Sequence, residues 1–278
     1  MVLIHIRVPT MTSEGRETTD EREFFTARDE WGLGLTNHIG GIKTTRRLIE
    51  WCGITPGHYV LDVGCGTGYT ACLLAKEYQV DVAAIDITPA VLEEARKRVA
   101  REKVSDKVKV IEADAHAIPF PSDTFDAVLA ESVLIFCEKA KVASEVHRVL
   151  KPGGVFGDNE ATYVTPPPTQ LRYLVSKFIG AEVEILREHE WRAIYEGAGF
   201  EVIQSTVNPI HSIDYIREFF DGVRVDGVRR RLSASLKEFS DPTLRRTFFM
   251  GRDARQAFRQ VLSYMGNGLY ASRKPIIF

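Results

Sequence analysis

Apolar runs alternate with amphipathic helical patterns through the middle of the chain, from about residue 59 to about residue 159. The runs are short and β-like, and in the longer segments between them apolar residues recur every three or four positions. This alternation is typical of βαβ units and predicts a parallel sheet covered by helices. The five predicted strands are YVLDV, VDVAAID, VKVIEAD, FDAVLAE and GGVFGDN.

The segment ITPAVLEEARKRVA, between the second and third strands, predicts one of these helices. Thr88 suits the N-cap, and Pro89 suits the first helical position because its missing N–H would have no partner there. One stripe of the helix is apolar and predicts the face that packs on the sheet; it consists of Val91, Leu92, Ala95 and Val99.

Two later strand patterns, FEVIQSTV and GNGLYASRK, predict a hairpin added to one edge of the sheet. The remaining segments have helical periodicity. They are interpreted as a lid over the carboxyl ends of the strands, where open α/β sheets bind ligands, or as helices that only pack on the sheet. The predicted organisation is an N-terminal helical cap (1–53), a core (54–160), a lid segment (161–187), a core helix and strand (188–210), a helical insertion completing the lid (211–265) and a last core strand (266–278).

The composition is that of an ordinary soluble protein, with 44% hydrophobic and 27% charged residues and a net charge of -2. This charge gives no overall reason to expect binding to nucleic acid or membranes, and no stretch approaches the roughly 20 apolar residues that span a bilayer. The four cysteines lack metal-site spacing, which predicts reduced thiols in a cytoplasmic protein with no metal. The start, MVLIHIRVP, does not match a signal peptide, and Met11 is an alternative first residue.

The stretch VLDVGCGTG leads from the first strand into a turn with glycine at positions 64, 66 and 68. Such a turn lets backbone N–H groups and a helix N-terminus approach a polar ligand closely. The glycines alone fit a dinucleotide, a sulfonium nucleoside or a plain tight turn. Asp62 would repel a pyrophosphate but suits an ammonium group, which disfavours NAD.

Two further acids stand at the ends of the second and third strands. Asp86 can accept hydrogen bonds from both hydroxyls of a ribose, and a solvated strand-end acid is the alternative. Asp114 can accept the exocyclic amine of adenine, while the N–H of Ala115 can meet a ring nitrogen. Acids at three successive strand ends predict a nucleoside with a cationic, amino-acid-like tail.

In order and spacing, VLDVGCGTG, AAID, EADAHAIPFPSDTFDAV and HRVLKPGG resemble the class I S-adenosylmethionine-dependent methyltransferases over about residues 55–160. The resemblance implies a Rossmann-like, doubly wound α/β sheet of seven strands with the seventh antiparallel, and S-adenosyl-L-methionine as cofactor. It implies cofactor contacts at Asp62 (ammonium), Gly64, Gly66 and Gly68 (methionine portion), Asp86 (ribose), Ile87 (adenine face), Asp114 and Ala115 (adenine edge), and the backbone of Ala130 and Glu131.

Further upstream, NHIGGIKTTRRLIEWCGI is similar to the small-molecule branch of the same family. In that branch a glycine pair on the entering helix closes over the cofactor, which implies this position for Gly40 and Gly41. His38 is interpreted either as a group on the substrate side or as a helix-start histidine with a local hydrogen bond.

Methyl transfer needs an acceptor lone pair held in line with the methyl–sulfur bond, and a base only if the acceptor must lose a proton. The candidate catalytic residues are Glu160, which follows the fifth predicted strand, and Glu131 across from it. Tyr163 lies nearby in the sequence. The alternative for Glu160 is an ion pair with a lysine or arginine of the lid.

The sequence also weakens two nucleic-acid chemistries. AESVL stands where enzymes that methylate base amines have NPPY or DPPY, and no Pro–Cys pair is present for attack on a pyrimidine. A basic stretch, DGVRVDGVRRRLSASLKEFSDPTLRR, is interspersed with acids and predicts a solvated helix face. We therefore expect methylation of a small molecule at an amine, hydroxyl, thiol or activated carbon. Protein or RNA methylation, or a non-catalytic regulator that binds the cofactor, are the alternatives.

Overall fold

One mixed sheet forms the centre of the protein. The structure is a computed structural model that describes residues 38, 40–169, 172, 183–210 and 260–276. The strands within these residues are β1 Tyr59–Val63, β2 Asp81–Asp86, β3 Val108–Glu112, β4 Phe125–Glu131, β5 Leu150–Tyr163, β6 Leu186–Arg187, β7 Glu201–Pro209 and β8 Met265–Arg273. Their order across the sheet is β3-β2-β1-β4-β5-β8-β7, and β6 pairs with β5 outside this path.

The strand directions confirm the predicted topology. Strands β1 to β5 are parallel to one another, whereas β8 is antiparallel to both β5 and β7. Apart from the two-residue β6, this is a doubly wound sheet whose seventh strand is antiparallel. The sequence pattern misses β6 because two residues are too few to show a period, and only their pairing with Thr162 and Tyr163 defines them.

Helices cover both faces of the sheet. They are α1 Gly41–Trp51, α2 Tyr69–Leu73 (continued by a π-helical turn, Leu74–Tyr78), α3 Pro89–Glu102, a 3₁₀ turn Leu134–Phe136, α4 Lys139–Val149 and α5 Glu188–Gly197. Buried residues of α1, α2 and α3 pack in one apolar cluster, and those of α4 and α5 pack in a second. The two clusters hold the sheet between them.

Helix α3 has the start and the buried face that the sequence predicts. Thr88 is extended and Pro89 is the first helical residue. The hydroxyl of Thr88 makes no capping bond; instead its backbone N–H donates to Asp86 Oδ1 at 2.8 Å. The apolar stripe is buried against the sheet, at Val91, Leu92, Ala95 and Val99.

Strand β5 is longer than its sequence pattern predicts. Residues 155–163 pair antiparallel with β8 along its whole length, which extends β5 through Tyr163. The prediction that Glu160 follows the fifth strand is therefore wrong: Glu160 lies inside the strand and is fully buried. The physical reason is that a strand's length is set by its partner, here residues about a hundred positions away.

The predicted cap and lid fall largely outside the described residues. Of segment 1–53, the structure describes residue 38 and residues 40–53, which contain α1. Residues 170, 171, 173–182 and 211–259 lie outside the described part, so the domain boundaries stay a prediction. No described helix is both long enough and apolar enough to cross a membrane.

Candidate functional site

A cavity of about 500 Å³ opens at the carboxyl ends of β1, β2, β3 and β4. The loops that follow these four strands line it, together with His38 ahead of α1. Ligands of open α/β sheets bind at this edge, because loops from neighbouring strands diverge there.

Most of the predicted site residues meet in this cavity. Its lining includes Asp62, Gly64, Gly66, Asp86, Ile87, Asp114, Ala115 and Glu131. Five residues predicted to contact the cofactor or act in catalysis are not part of the lining: Gly40 and Gly41 at the start of α1, Gly68 just before α2, Ala130 buried in β4, and Glu160 buried in β5.

The glycine turn brings bare backbone to the cavity. Gly64 and Gly66 have φ angles of +65° and +50°, a left-handed conformation that residues with a side chain rarely adopt. A Cβ at Gly64 would lie 2.3 Å from Val133 Cγ2, so this glycine permits close packing of two loops. A Cβ at Gly66 would meet nothing within 4 Å, so the space beside this glycine is open to a ligand.

Asp62 is the most deeply placed acid of the cavity, with 3% exposure. Its Oδ2 is buried and has no hydrogen-bond partner. Burial, followed by the negative charges of Glu131 and Asp86, raises the pKa of Asp62 well above its ordinary value. A cationic group in the cavity would give Oδ2 a hydrogen-bond partner and would favour the ionised form of Asp62. The site therefore fits a ligand that carries an ammonium or a sulfonium.

The carboxylate of Asp86 is held by two backbone N–H groups, from Gly66 to Oδ2 at 3.1 Å and from Thr88 to Oδ1 at 2.8 Å. Each oxygen retains a second lone pair that can accept a ligand hydroxyl. Next to it, Ile87 is 59% exposed and offers an apolar surface at the cavity. A carboxylate beside an exposed apolar side chain suits a ribose joined to an aromatic base.

Glu131 ties three parts of the chain to the end of β4. Thr45 of α1 donates to its Oε1 at 2.9 Å, and Thr70 of α2 donates to its Oε2 at 2.9 Å. His38 Nε2 lies 3.4 Å from the same Oε1. Sequence reasoning missed both threonines; their only signal is a hydroxyl on the buried side of an amphipathic helix.

His38 lines the cavity and is hydrogen-bonded as well, and its role on the substrate side stays a prediction. Its Nε2 lies 3.0 Å from Thr45 Oγ1, and its Nδ1 lies 3.1 Å from Asn159 Nδ2. These contacts join the segment ahead of α1 to the ends of the central strands.

Glu160 lies behind the cavity wall. Its Oε1 accepts the backbone N–H groups of Val133 at 2.7 Å and Leu134 at 2.5 Å. An ion pair with a basic residue of the predicted lid concerns residues that lie largely outside the described part. Burial raises the pKa of Glu160 to about 7. The side chain of Glu160 is not part of the described cavity lining. A direct acid–base role for Glu160 stays a prediction.

In the part of the chain that the structure describes, no group of three or more His, Cys, Asp or Glu side chains is arranged to hold a metal ion. Nor does any described lysine or arginine line the cavity. The described titratable lining therefore consists of four carboxylates, two histidines, Cys65, Cys137 and Tyr69.

Comparison with known proteins agrees with this geometry. Residues 61–157 match the methyltransferase domain family. The uncharacterized methyltransferase YodH of Bacillus subtilis is 33% identical over 164 residues, which are 59% of this chain and 69% of YodH. The ubiquinone/menaquinone biosynthesis C-methyltransferase UbiE of a Marinomonas species is 29% identical over 207 residues, covering 72% of this chain and 73% of UbiE.

The fold is also found among solved structures. A putative sarcosine dimethylglycine methyltransferase from Galdieria sulphuraria superposes with a TM-score of 0.70 at 16% identity, covering 92% of this chain and 98% of that one. The glycine turn, the strand-end acids, the sheet topology and the relationship to YodH agree, and the chain belongs to the class I S-adenosylmethionine-dependent methyltransferases.

Proposed function

We propose that this methyltransferase transfers the methyl group of S-adenosylmethionine to a small-molecule acceptor bound at the strand-end cavity. The observation that carries the proposal is the buried, unpartnered Oδ2 of Asp62 in a cavity whose described lining contains no lysine or arginine. When bound, the cofactor supplies an electrophilic methyl group. The protein's part is to hold cofactor and acceptor in line and to exclude water.

The charge of the cavity supports this cofactor. Its described lining contains four carboxylates, at Asp62, Asp86, Asp114 and Glu131. Their summed potential attracts a ligand that carries both a sulfonium and an ammonium and repels the pyrophosphate of a dinucleotide. The same arrangement supports the individual roles that the sequence predicts.

We assign each role to the contact that the residue can make. Asp62 accepts from the ammonium, Asp86 from the ribose hydroxyls and Asp114 from the adenine amine. The other cofactor contacts are Ile87 on the adenine face, Ala115 at its edge, the turn at Gly64, Gly66 and Gly68, the backbone of Ala130, and closure by Gly41.

The acceptor side is supported by an apolar wall. Val133, Phe136 and Cys137 follow β4 and line the cavity, and Phe136 is 40% exposed. A volume of about 500 Å³ lies in the range of small-molecule sites. UbiE, by its name, methylates carbon in quinone biosynthesis, which supports a small acceptor here. The group that accepts the methyl is an amine, a hydroxyl, a thiol or an activated carbon.

A base is needed only for acceptors that must lose a proton, and Glu131 is the candidate that faces the cavity. Its two oxygens each accept a threonine hydroxyl, which fixes the carboxylate but leaves lone pairs available. Methylation of protein or RNA would call for a basic groove, and the described lining has none.

The proposal is tested by offering the full chain methyl-labelled S-adenosylmethionine with panels of phenols, quinols, amines and thiols. We expect label in one small-molecule class, and loss of that transfer in Asp86→Ala. Asp81→Ala, at the opposite end of the same strand, is the matched control and retains it. Label found only in added protein or RNA would overturn the small-molecule acceptor, and cofactor binding without transfer to any panel would favour the non-catalytic regulator.

A further inference from the structure

The imidazole of His116 connects two loops at the edge of the cavity. Its Nδ1 lies 2.7 Å from Asp114 Oδ1, and its Nε2 accepts the backbone N–H of Glu138 at 3.0 Å. Because a backbone amide can only donate, Nε2 is unprotonated and the proton of the neutral ring is on Nδ1. His116 therefore donates to Asp114 in a defined tautomer.

This contact determines which oxygen of Asp114 is available to a ligand. Oδ1 accepts both the ring N–H and the backbone N–H of His116, the latter at 2.8 Å. These bonds lower the pKa of Asp114 and keep it ionised. Within the described structure, Oδ2 accepts no hydrogen bond. The side chain of Asp114 is 48% exposed, so without the ring only the backbone N–H of His116 would hold this rotamer.

We propose that His116 is a positioning residue for the adenine of S-adenosylmethionine, acting through Asp114. The ring holds the carboxylate so that Oδ2 accepts the exocyclic amine, and this inference rests on the adenine site proposed above. Asp114, Ala115 and His116 line the same cavity. Glu138 is the N-cap of α4, so the ring also fastens the loop after β3 to the loop after β4.

The test compares two ligands that differ at the amine. The homocysteine derivative of purine riboside (the purinyl ligand) has a hydrogen where S-adenosylhomocysteine has the amine and keeps the same ring nitrogens, so it lacks only the donor to Asp114. Calorimetry on the full wild-type chain is expected to show tighter binding of the adenosyl ligand by about tenfold or more, as for a hydrogen bond to a charged acceptor. In His116→Ala we expect this preference to fall to less than about threefold, with binding of the purinyl ligand unchanged.

Two replacements separate positioning from general packing. Asn at position 116 places an amide N–H near the site of Nδ1–H, so His116→Asn is expected to restore most of the preference. Gln carries its amide further out, toward Glu138, and His116→Gln is expected not to restore it. His58→Ala is the control and keeps the wild-type preference, because His58 lies just before β1, at the amino ends of the parallel strands and away from the cavity.

Each other outcome has a definite meaning. Equal weakening of both ligands in His116→Ala would show a structural role only and overturn the inference. If Asp114→Ala loses the preference while His116→Ala retains it, the adenine site stands and the role of His116 is wrong. If Asp114→Ala itself retains the preference, the proposed adenine site is wrong, and the role of His116 with it.

Discussion

The carboxylate of Glu160 accepts the backbone N–H of Val133 at 2.7 Å, so a fully buried acid in β5 holds a residue of the cavity wall. The N–H of Leu134 donates to the same oxygen at 2.5 Å. These amides begin the 3₁₀ turn that carries Phe136 into the cavity lining. Glu160 therefore shapes the apolar wall from behind.

Glu160→Gln is expected to retain turnover within about tenfold of wild type, because the amide oxygen still accepts both N–H groups. Glu160→Leu leaves these groups unpaired and is expected to raise KM for the acceptor and lower thermal stability. Steady-state kinetics with the acceptor found in the label screen measures kcat and KM, and thermal unfolding measures the stability. A fall in kcat of about 100-fold or more in Glu160→Gln, at unchanged KM, would show instead that Glu160 is the base.

The stability of the protein is expected to fall as pH rises from about 4.5 to about 7. Burial raises the pKa of Glu160 from its ordinary 4.5 to about 7, so in this window the folded state binds a proton that the unfolded state has lost. The contribution, present in full below the window and lost above it, is up to about 3 kcal/mol. Urea unfolding between about pH 5 and about pH 8 measures it.

Glu160→Gln provides the control for this pH dependence. Burial, followed by the charge of Glu160, also raises the pKa of Asp158, so removal of that charge lowers the pKa of Asp158 and changes the pH dependence in the same direction. The difference in unfolding free energy between variant and wild type should therefore shift in favour of the variant as pH rises. A difference that is constant across the range would contradict the assignment to Glu160.

Features that follow from a local sequence pattern, or from the general geometry of a parallel sheet, could be predicted from the sequence. The burial of α3 follows from its own periodicity, and the meeting of Asp62 and Asp86 follows from parallel strands ending at one edge. Contacts between distant residues could not be predicted. Thr70 reaches Glu131 across 61 residues, and β5 takes its length from β8, so neither leaves a local pattern.

Asp86→Ala is expected to weaken binding of S-adenosylhomocysteine by about 10-fold to 100-fold, since charged hydrogen bonds to the ribose are lost. It also removes the acceptors of the Gly66 and Thr88 N–H groups, so a lower melting temperature is expected too. Calorimetry measures the affinity, with Asp81→Ala as control. Unchanged affinity in Asp86→Ala would remove this residue from the ribose site.

Cofactor affinity is expected to fall as pH is lowered through the raised pKa of Asp62, because only the ionised carboxylate pairs with the ammonium. Binding then stabilises the carboxylate and releases a proton within that window. Calorimetry in two buffers with different ionisation enthalpies detects this release, and Asp62→Asn should abolish it. Equal proton release in wild type and variant would place the ammonium elsewhere.

The two glycines of the turn should respond differently to alanine. In Gly64→Ala the new methyl meets Val133 Cγ2 at 2.3 Å, so we expect loss of stability with displacement of the cavity wall. In Gly66→Ala the left-handed backbone costs only about 1 to 2 kcal/mol, but the methyl enters the space beside the turn and should block the cofactor. Gly57 also has a positive φ, +87°, and has open space away from the cavity, so Gly57→Ala reports the backbone cost alone.

Thermal unfolding measures the loss of stability in these glycine variants, and the affinity for S-adenosylhomocysteine measures whether the new methyl blocks the cofactor. If Gly66→Ala binds the ligand as well as Gly57→Ala does, the methionine portion does not pass over Gly66.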